Sequence, residues 1–295
     1  MIVDNTYAEA FKSVYAEILV TARDRLWLDH AINAATGHAS STILCDCEAG
    51  LDHYTQNTPD GRLGAVLQFH VPKFKKNHLR ALELALIHRI GQNILTCPTT
   101  SVWNSLDTPE KFKIGRKLAY FGDGFQRKSN FYGRKVWVIP IMGGEFITEA
   151  LFGYAEGVMG GNLWFMAETL DTALAAAEKA LAAVHRIEGV ITPFPGGITW
   201  SGSKAGSRYS FLVASTFHTY CPTLRDKIQD SQVPPGVNSI MEIIINGKNP
   251  EVVQQAMQSG VQAALNSPGL IKISAGNYGG RLGKYKLWLQ NNNSQ

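Results

Sequence analysis

Apolar positions along this chain recur with two periods, and the periods alternate in a readable order. Residues 13–22 suit a strand, whereas residues 24–36 carry Leu26, Trp27, Ala31, Ile32 and Ala35 at helical spacing and stop at Gly37. A second strand is expected over 41–47, followed by a loop holding Gly50 and the turn Thr58-Pro59-Asp60-Gly61. A third strand follows over 64–71. Leu79, Leu82, Leu86 and Ile90, with Ala81, Ala85 and Ile87 beside them, then predict a helix over 77–93, and the short apolar run 93–97 reads as a strand. The second half repeats the order with other residues. Strands are expected over 162–167, from 189 to 192, around Glu242 and over 270–275. Between them lie a helix over 171–186 striped by Leu174, Ala177, Leu181 and Val184, and one over 250–266 striped by Val253, Met257, Val261 and Leu265.

Each half therefore reads β-α-β-β-α-β, the split arrangement of ferredoxin-like domains. The expected fold is α+β, two ferredoxin-like lobes packed together, over residues 1–140 with inserted loops and 141–295. Residues 100–160 are the hardest to place: strands are expected over 135–141 and 145–155, the latter opening the second lobe. The polar tail 291–295 is expected to fray.

Composition narrows the function classes. A chain of 295 residues with 45% hydrophobic content can bury a real core without staples, and a net charge of +4 is mild. The densest basic cluster, Lys73-Phe74-Lys75-Lys76, is shorter than a nucleic-acid or membrane-surface tract, so no nucleic acid is expected as a partner. Residues 1–11 lack the pattern of a signal peptide, and no window approaches a membrane span; a soluble, cytoplasmic protein is expected. Cys45, Cys47, Cys97 and Cys221 form no Cys-x-x-Cys pair, and the eight His show no metal-ligand spacing, so no metal is expected.

Glu242 is the sharpest chemical feature. In the run Ile240-Met241-Glu242-Ile243-Ile244-Ile245 it shares a face with Ile240 and Ile244, while Met241, Ile243 and Ile245 point the other way. If its face is covered, desolvation raises the carboxyl pKa and suits it to act as a general acid near neutral pH. The alternative is a carboxylate that borders solvent or pairs with an Arg or Lys. Pro193-Phe194-Pro195-Gly196-Gly197 could offer backbone N–H groups to an oxyanion or be a structural turn. Gly279-Gly280-Arg281-Leu282-Gly283 is no dinucleotide fingerprint, because residues 284–289 alternate like a strand where a helix would be needed. No serine sits at a strand-to-helix elbow.

The segments Phe121-Gly122-Asp123-Gly124-Phe125-Gln126, Gly133-Arg134-Lys135-Val136-Trp137, Pro193 to Gly197, Tyr220-Cys221-Pro222-Thr223, Glu242 to Gly247 and Ile273-Ser274-Ala275-Gly276-Asn277-Tyr278-Gly279-Gly280 occur together and in this order. In that combination the chain resembles the formylmethanofuran:tetrahydromethanopterin formyltransferases over almost its whole length. Thr6-Tyr7-Ala8-Glu9-Ala10-Phe11 and Thr58-Pro59-Asp60-Gly61-Arg62 resemble the family too.

The resemblance implies reversible transfer of a formyl group between the methanofuran amine, or that of an analogue, and N5 of tetrahydromethanopterin. Both carriers are substrates, and no tightly bound cofactor or metal is implied. It places the acid/base carboxylate on Glu242 and suggests Pro195, Gly196, Gly197, Ser274, Gly276, Asn277 and Asp123 as substrate-binding positions. It further implies a homodimer or homotetramer. Family members from hot, salty niches are strongly acidic, unlike this chain, and Cys45-Asp46-Cys47-Glu48 replaces a familiar Cys-Pro-Ala-Glu pattern. That departure suggests a mesophilic, low-salt host; a bacterial member working within a formyltransferase/hydrolase complex, beside its formyl-hydrolase subunits, is compatible with it, and the residues leave an archaeal or a bacterial host open. The competing reading is a non-catalytic scaffold or pterin-binding subunit of such a complex.

Overall fold

A computed structural model describes residues 2–290; the tail expected to fray lies outside the described residues. The chain divides into two compact units, one of Lys12–Gly157 and the other of the stretch through Phe11 together with the chain from Val158 onward. Both are mixed α and β structures.

In the unit Lys12–Gly157 the sheet runs Glu48–Thr55, Leu63–Pro72, Tyr7–Ala22 (from Lys12) and Ser101–Asn104, each antiparallel to its neighbour. Gly144–Glu149 adds in parallel to Ser101–Asn104 and is followed outward by Arg134–Ile141 and Arg127–Phe131. Two helices cover one face. Helix Arg25–Thr36 starts where the Asp24 carboxylate accepts the Trp27 N–H at 3.1 Å, and it buries Leu28, Ala31, Ile32 and Ala35. Helix His78–His88 continues into a π-helical turn, Arg89–Ile94.

Two expected strands in this unit are not strands. Residues 41–47 form turns because the buried Arg89 guanidinium gathers the carbonyls of Ala35, Gly37 and His38 and pairs with Asp46 at 2.6 Å. The strand begins only at Glu48. The apolar run 93–97 finishes the helical segment, and the Thr100 hydroxyl caps its Ile94 and Cys97 carbonyls at 2.6 and 3.0 Å. A short apolar run buries equally well as helix or strand, so periodicity alone does not separate them.

The other unit has the strand order Leu270–Ser274, Ala155–Ala167 (from Val158), Ser239–Gly247, Val190–Ile191, all antiparallel, with Ile2–Val3 parallel on the outer edge. Helix Leu170–Val184 opens on a Thr169/Thr172 capping box, and helix Pro250–Ala264 on Asn249 with proline at its first position. Both pack on one sheet face, where Met241, Ile243 and Ile245 meet Val253, Met257, Ala177 and Ala180. The opposite face is covered by the irregular segment 199–238: Trp164 and Met166 cluster there with Val233 and Val237, and Phe217, Tyr220 and Ile240 pack against them. Tyr285–Trp288 pairs with Tyr7–Ala10. No described helix is long and apolar enough to cross a membrane.

Candidate active site around Glu242

Glu242 sits mid-strand in Ser239–Gly247, with Trp164 directly opposite on the neighbouring strand and Thr199 bridging its other edge. The Thr199 N–H donates to the Glu242 carbonyl at 2.7 Å and the Glu242 N–H to the Thr199 carbonyl at 3.0 Å, so the backbone is satisfied on that edge. The side chain points to the face that carries Ile240 and Trp164, away from the helices. The helices cover one face of the strand, and segment 199–238 lies over the other, which leaves the Glu242 side of it partly open.

The carboxyl is half-buried and lines a cavity of about 340 Å³ together with Trp164, Phe217, Tyr220, Cys221 and Thr199. Burial pushes its pKa up to about 7, against the opposing pull of the Trp164 indole N–H, which donates to Oε1 at 2.8 Å. Among the described residues no Arg or Lys pairs with it. The ion-paired alternative therefore gives way, and a half-buried carboxyl of this kind is suited to exchange a proton near neutral pH.

Three aromatic rings surround it. Trp164 meets Phe217 and Tyr220 edge-on, with ring centroids 5.4 and 4.7 Å apart. Burial raises the Tyr278 hydroxyl above the usual tyrosine value, and negative charge on Glu242 and Glu9 adds to it. Tyr220 is raised by burial and then by Asp4. Both phenols stay neutral where Glu242 titrates.

The remaining sequence-predicted positions fall in different places. Gly276 touches the site: a Cβ there would lie 2.5 Å from Trp164 Cζ2, so only glycine admits the indole. Its N–H donates to Asn162 Oδ1 at 2.6 Å, and its carbonyl accepts from Asn162 Nδ2 at 3.1 Å. Ser274 lies opposite Trp164 in register and donates to Asp4 Oδ2 at 2.7 Å, an oxygen also paired with Lys272. Asn277 is occupied locally, donating to Thr6 and the Tyr7 carbonyl and accepting from Gly279. Pro195 and Gly196 line a second hollow of about 680 Å³ beside helix Leu170–Val184, and Trp200 and Leu170 border both cavities. Gly197 takes φ +80° against Leu181, where a Cβ would collide at 2.6 Å. Asp123 belongs to the unit Lys12–Gly157, exposed at a left-handed turn with φ 51°.

Trp164, Phe217, Thr199 and Asn162 were not singled out from sequence. Trp164 lies in an expected strand, but only inter-strand register sets it opposite Glu242, and register is not written in either strand alone.

Two family models account for nearly the whole chain: formylmethanofuran-tetrahydromethanopterin formyltransferase matches residues 1–141, and the proximal lobe of the same enzyme matches residues 144–291. The chain belongs to this formyltransferase family. The formyltransferase of Methanocaldococcus jannaschii is 47% identical over 98% of this chain and 96% of its own length, and that of Methanothermus fervidus is 50% identical over 97% and 96%. The solved formyltransferase of Methanosarcina barkeri superposes with a TM-score of 0.92 at 44% identity, covering 97% of this chain and 96% of its own. A chain of the formyltransferase/hydrolase complex of Methylorubrum extorquens, solved with methylofuran, gives 0.91 at 38% identity over 97% and 95%. Of the two solved relatives, the archaeal formyltransferase is the more similar in sequence.

Proposed function

We propose that this chain transfers a formyl group between formylmethanofuran, or a methanofuran analogue, and N5 of tetrahydromethanopterin, with Glu242 as the acid/base residue. The observation that carries the reading is a carboxyl with a pKa near 7 at the wall of a cavity, in a chain matched end to end by one formyltransferase family. In the forward direction the pterin N5 amine attacks the formamide carbon, a C–N bond forms and an oxyanion develops. Breakage of the old C–N bond releases the furan carrier's amine, which takes a proton. Protonated Glu242 supplies that proton and regains one from N5, so the side chain ends as it began. General acid/base assistance of this kind contributes about 10² to 10⁴ in rate.

Gly276 and Ser274 shape the Trp164 side of the pocket, with Asn277 fixing the turn behind them. Pro195, Gly196 and Gly197 border the adjoining hollow, which suits an extended carrier tail. Asp123 stays a candidate substrate contact of its own unit. The β-α-β-β-α-β order within each unit supports reading both as ferredoxin-like. The two family models meet between residues 141 and 144, near the expected lobe boundary at 140/141. The compact units divide instead at 157/158, so that the strand expected over 145–155 to open the second lobe falls in the unit Lys12–Gly157. Both carriers act as dissociable substrates and no tightly bound cofactor is invoked. A cytoplasmic homodimer or homotetramer fits the family, and the complex formed by the Methylorubrum relative supports hydrolase subunits as partners.

The test mixes purified protein with formylmethanofuran and tetrahydromethanopterin and follows 5-formyl-pterin. Transfer by the protein alone supports the reading. No transfer alone, with transfer on adding hydrolase-complex subunits, supports activity that depends on the complex; no transfer in either case supports the scaffold reading.

A further inference from the structure

We infer that Trp164 is a positioning residue for Glu242, fixing which of the two carboxyl oxygens carries the proton. The inference rests on the acid/base reading of Glu242 for its functional meaning, but its geometry stands separately. The indole Nε1–H is a donor only, so the oxygen it faces at 2.8 Å must act as acceptor. When Glu242 is protonated, the carbonyl oxygen is the better acceptor, so the indole favours Oε1 as the carbonyl and the hydrogen on Oε2, the oxygen left to the reacting group.

The indole cannot easily turn away. Trp164 is 6% exposed and is held edge-on by Phe217 and Tyr220. On its far side the ring occupies the space that a Cβ at residue 276 would take, and the Asn162 carboxamide clamps both backbone polar groups of Gly276. Glycine at 276, asparagine at 162 and tryptophan at 164 thus form one support behind a single hydrogen bond. The indole also favours the ionised carboxylate and so opposes desolvation. Of the other ionisable groups around the pocket, Tyr220 and Cys221 face it from the covering segment, Tyr278 from the turn after Ser274, and Asp4 and Lys272 lie along the sheet beyond Trp164.

The experiment follows the six tryptophan indole N–H resonances of the unaltered chain against pH by two-dimensional NMR. One resonance is expected to titrate with a midpoint near 7 and to stop titrating in Glu242→Gln. If none of the six moves through that range, the inference is overturned. In Trp164→Phe the pH above which formyl transfer declines is expected to rise by about one pH unit, because the donor that favours the carboxylate is gone. A packing role alone would lower turnover or stability and leave that pH unmoved, which would also overturn the inference. Gly276→Ala, which displaces the indole without deleting its N–H, is expected to shift the pH in the same direction. If Glu242→Gln kept full turnover while the indole resonance titrated as expected, the acid/base reading would fall and the proton placement would stand.

Discussion

Glu9 and Glu242 are glutamates on strands of the same unit, each set among apolar neighbours, and their surroundings drive them in opposite directions. Glu9 is 2% exposed and receives four backbone N–H groups from the turn 278–283: Tyr278 at 2.7 Å and Gly280 at 2.9 Å on one oxygen, Leu282 and Gly283 on the other. Burial alone would raise its pKa, but the four donors outweigh burial and hold it below the usual carboxylate value. Glu242 has one donor, and burial wins. The balance between desolvation and the hydrogen bonds aimed at a carboxylate decides whether it is a fixed anion that organises a loop or a group that can carry a proton.

Substitutions at the two positions should separate these roles, and the largest effect belongs to turnover. Glu242→Gln should retain the fold while formyl transfer drops by about 10² to 10⁴; near-normal kcat would erase the contrast with Glu9. Next is the pH dependence of stability. Glu242 has a folded pKa above its unfolded one, so its contribution is fully present below about 4.5 and is lost as pH rises through about 7. Chemical denaturation at pH 9 should find Glu242→Gln more stable than the unaltered protein by up to about 3 kcal/mol, with no difference at pH 4. Glu9 has the opposite sign, since a depressed folded pKa gives stability that is present above the unfolded value and lost in acid. Glu9→Gln sets an amide N–H₂ against backbone donors and should cost about 2 kcal/mol at pH 7, read as a lower denaturation midpoint with an unchanged slope. A neutral outcome would mean that the 278–283 turn does not need its anion.

The Glu242 strand and its apolar helix-facing side were legible because period-two alternation leaves one polar residue conspicuous among Ile240, Ile243 and Ile245. The cover over its other face was not. Segment 199–238 builds that cover from three-residue strands and single 3₁₀ turns, and such pieces have no period to read. The mixture of strands and helices was legible for the same periodic reason, with residues 41–47 and 93–97 as the misses. Arg89 draws residues 41–47 into turns from more than 40 positions away, and no local pattern encodes such a contact. Glu9 went unremarked as a buried anion because its four partners lie some 270 residues along the chain. Gly276 was picked out with its motif, but its physical reason, the room it gives Trp164, needs the structure.

The most direct test is to titrate the Glu242 carboxyl itself, by infrared difference spectroscopy between the unaltered protein and Glu242→Gln across pH 3 to 10. The protonated-carboxyl band specific to the unaltered protein should lose half its intensity near pH 7. A band already half lost near pH 4.5, the ordinary value for a solvated glutamate, would contradict the account.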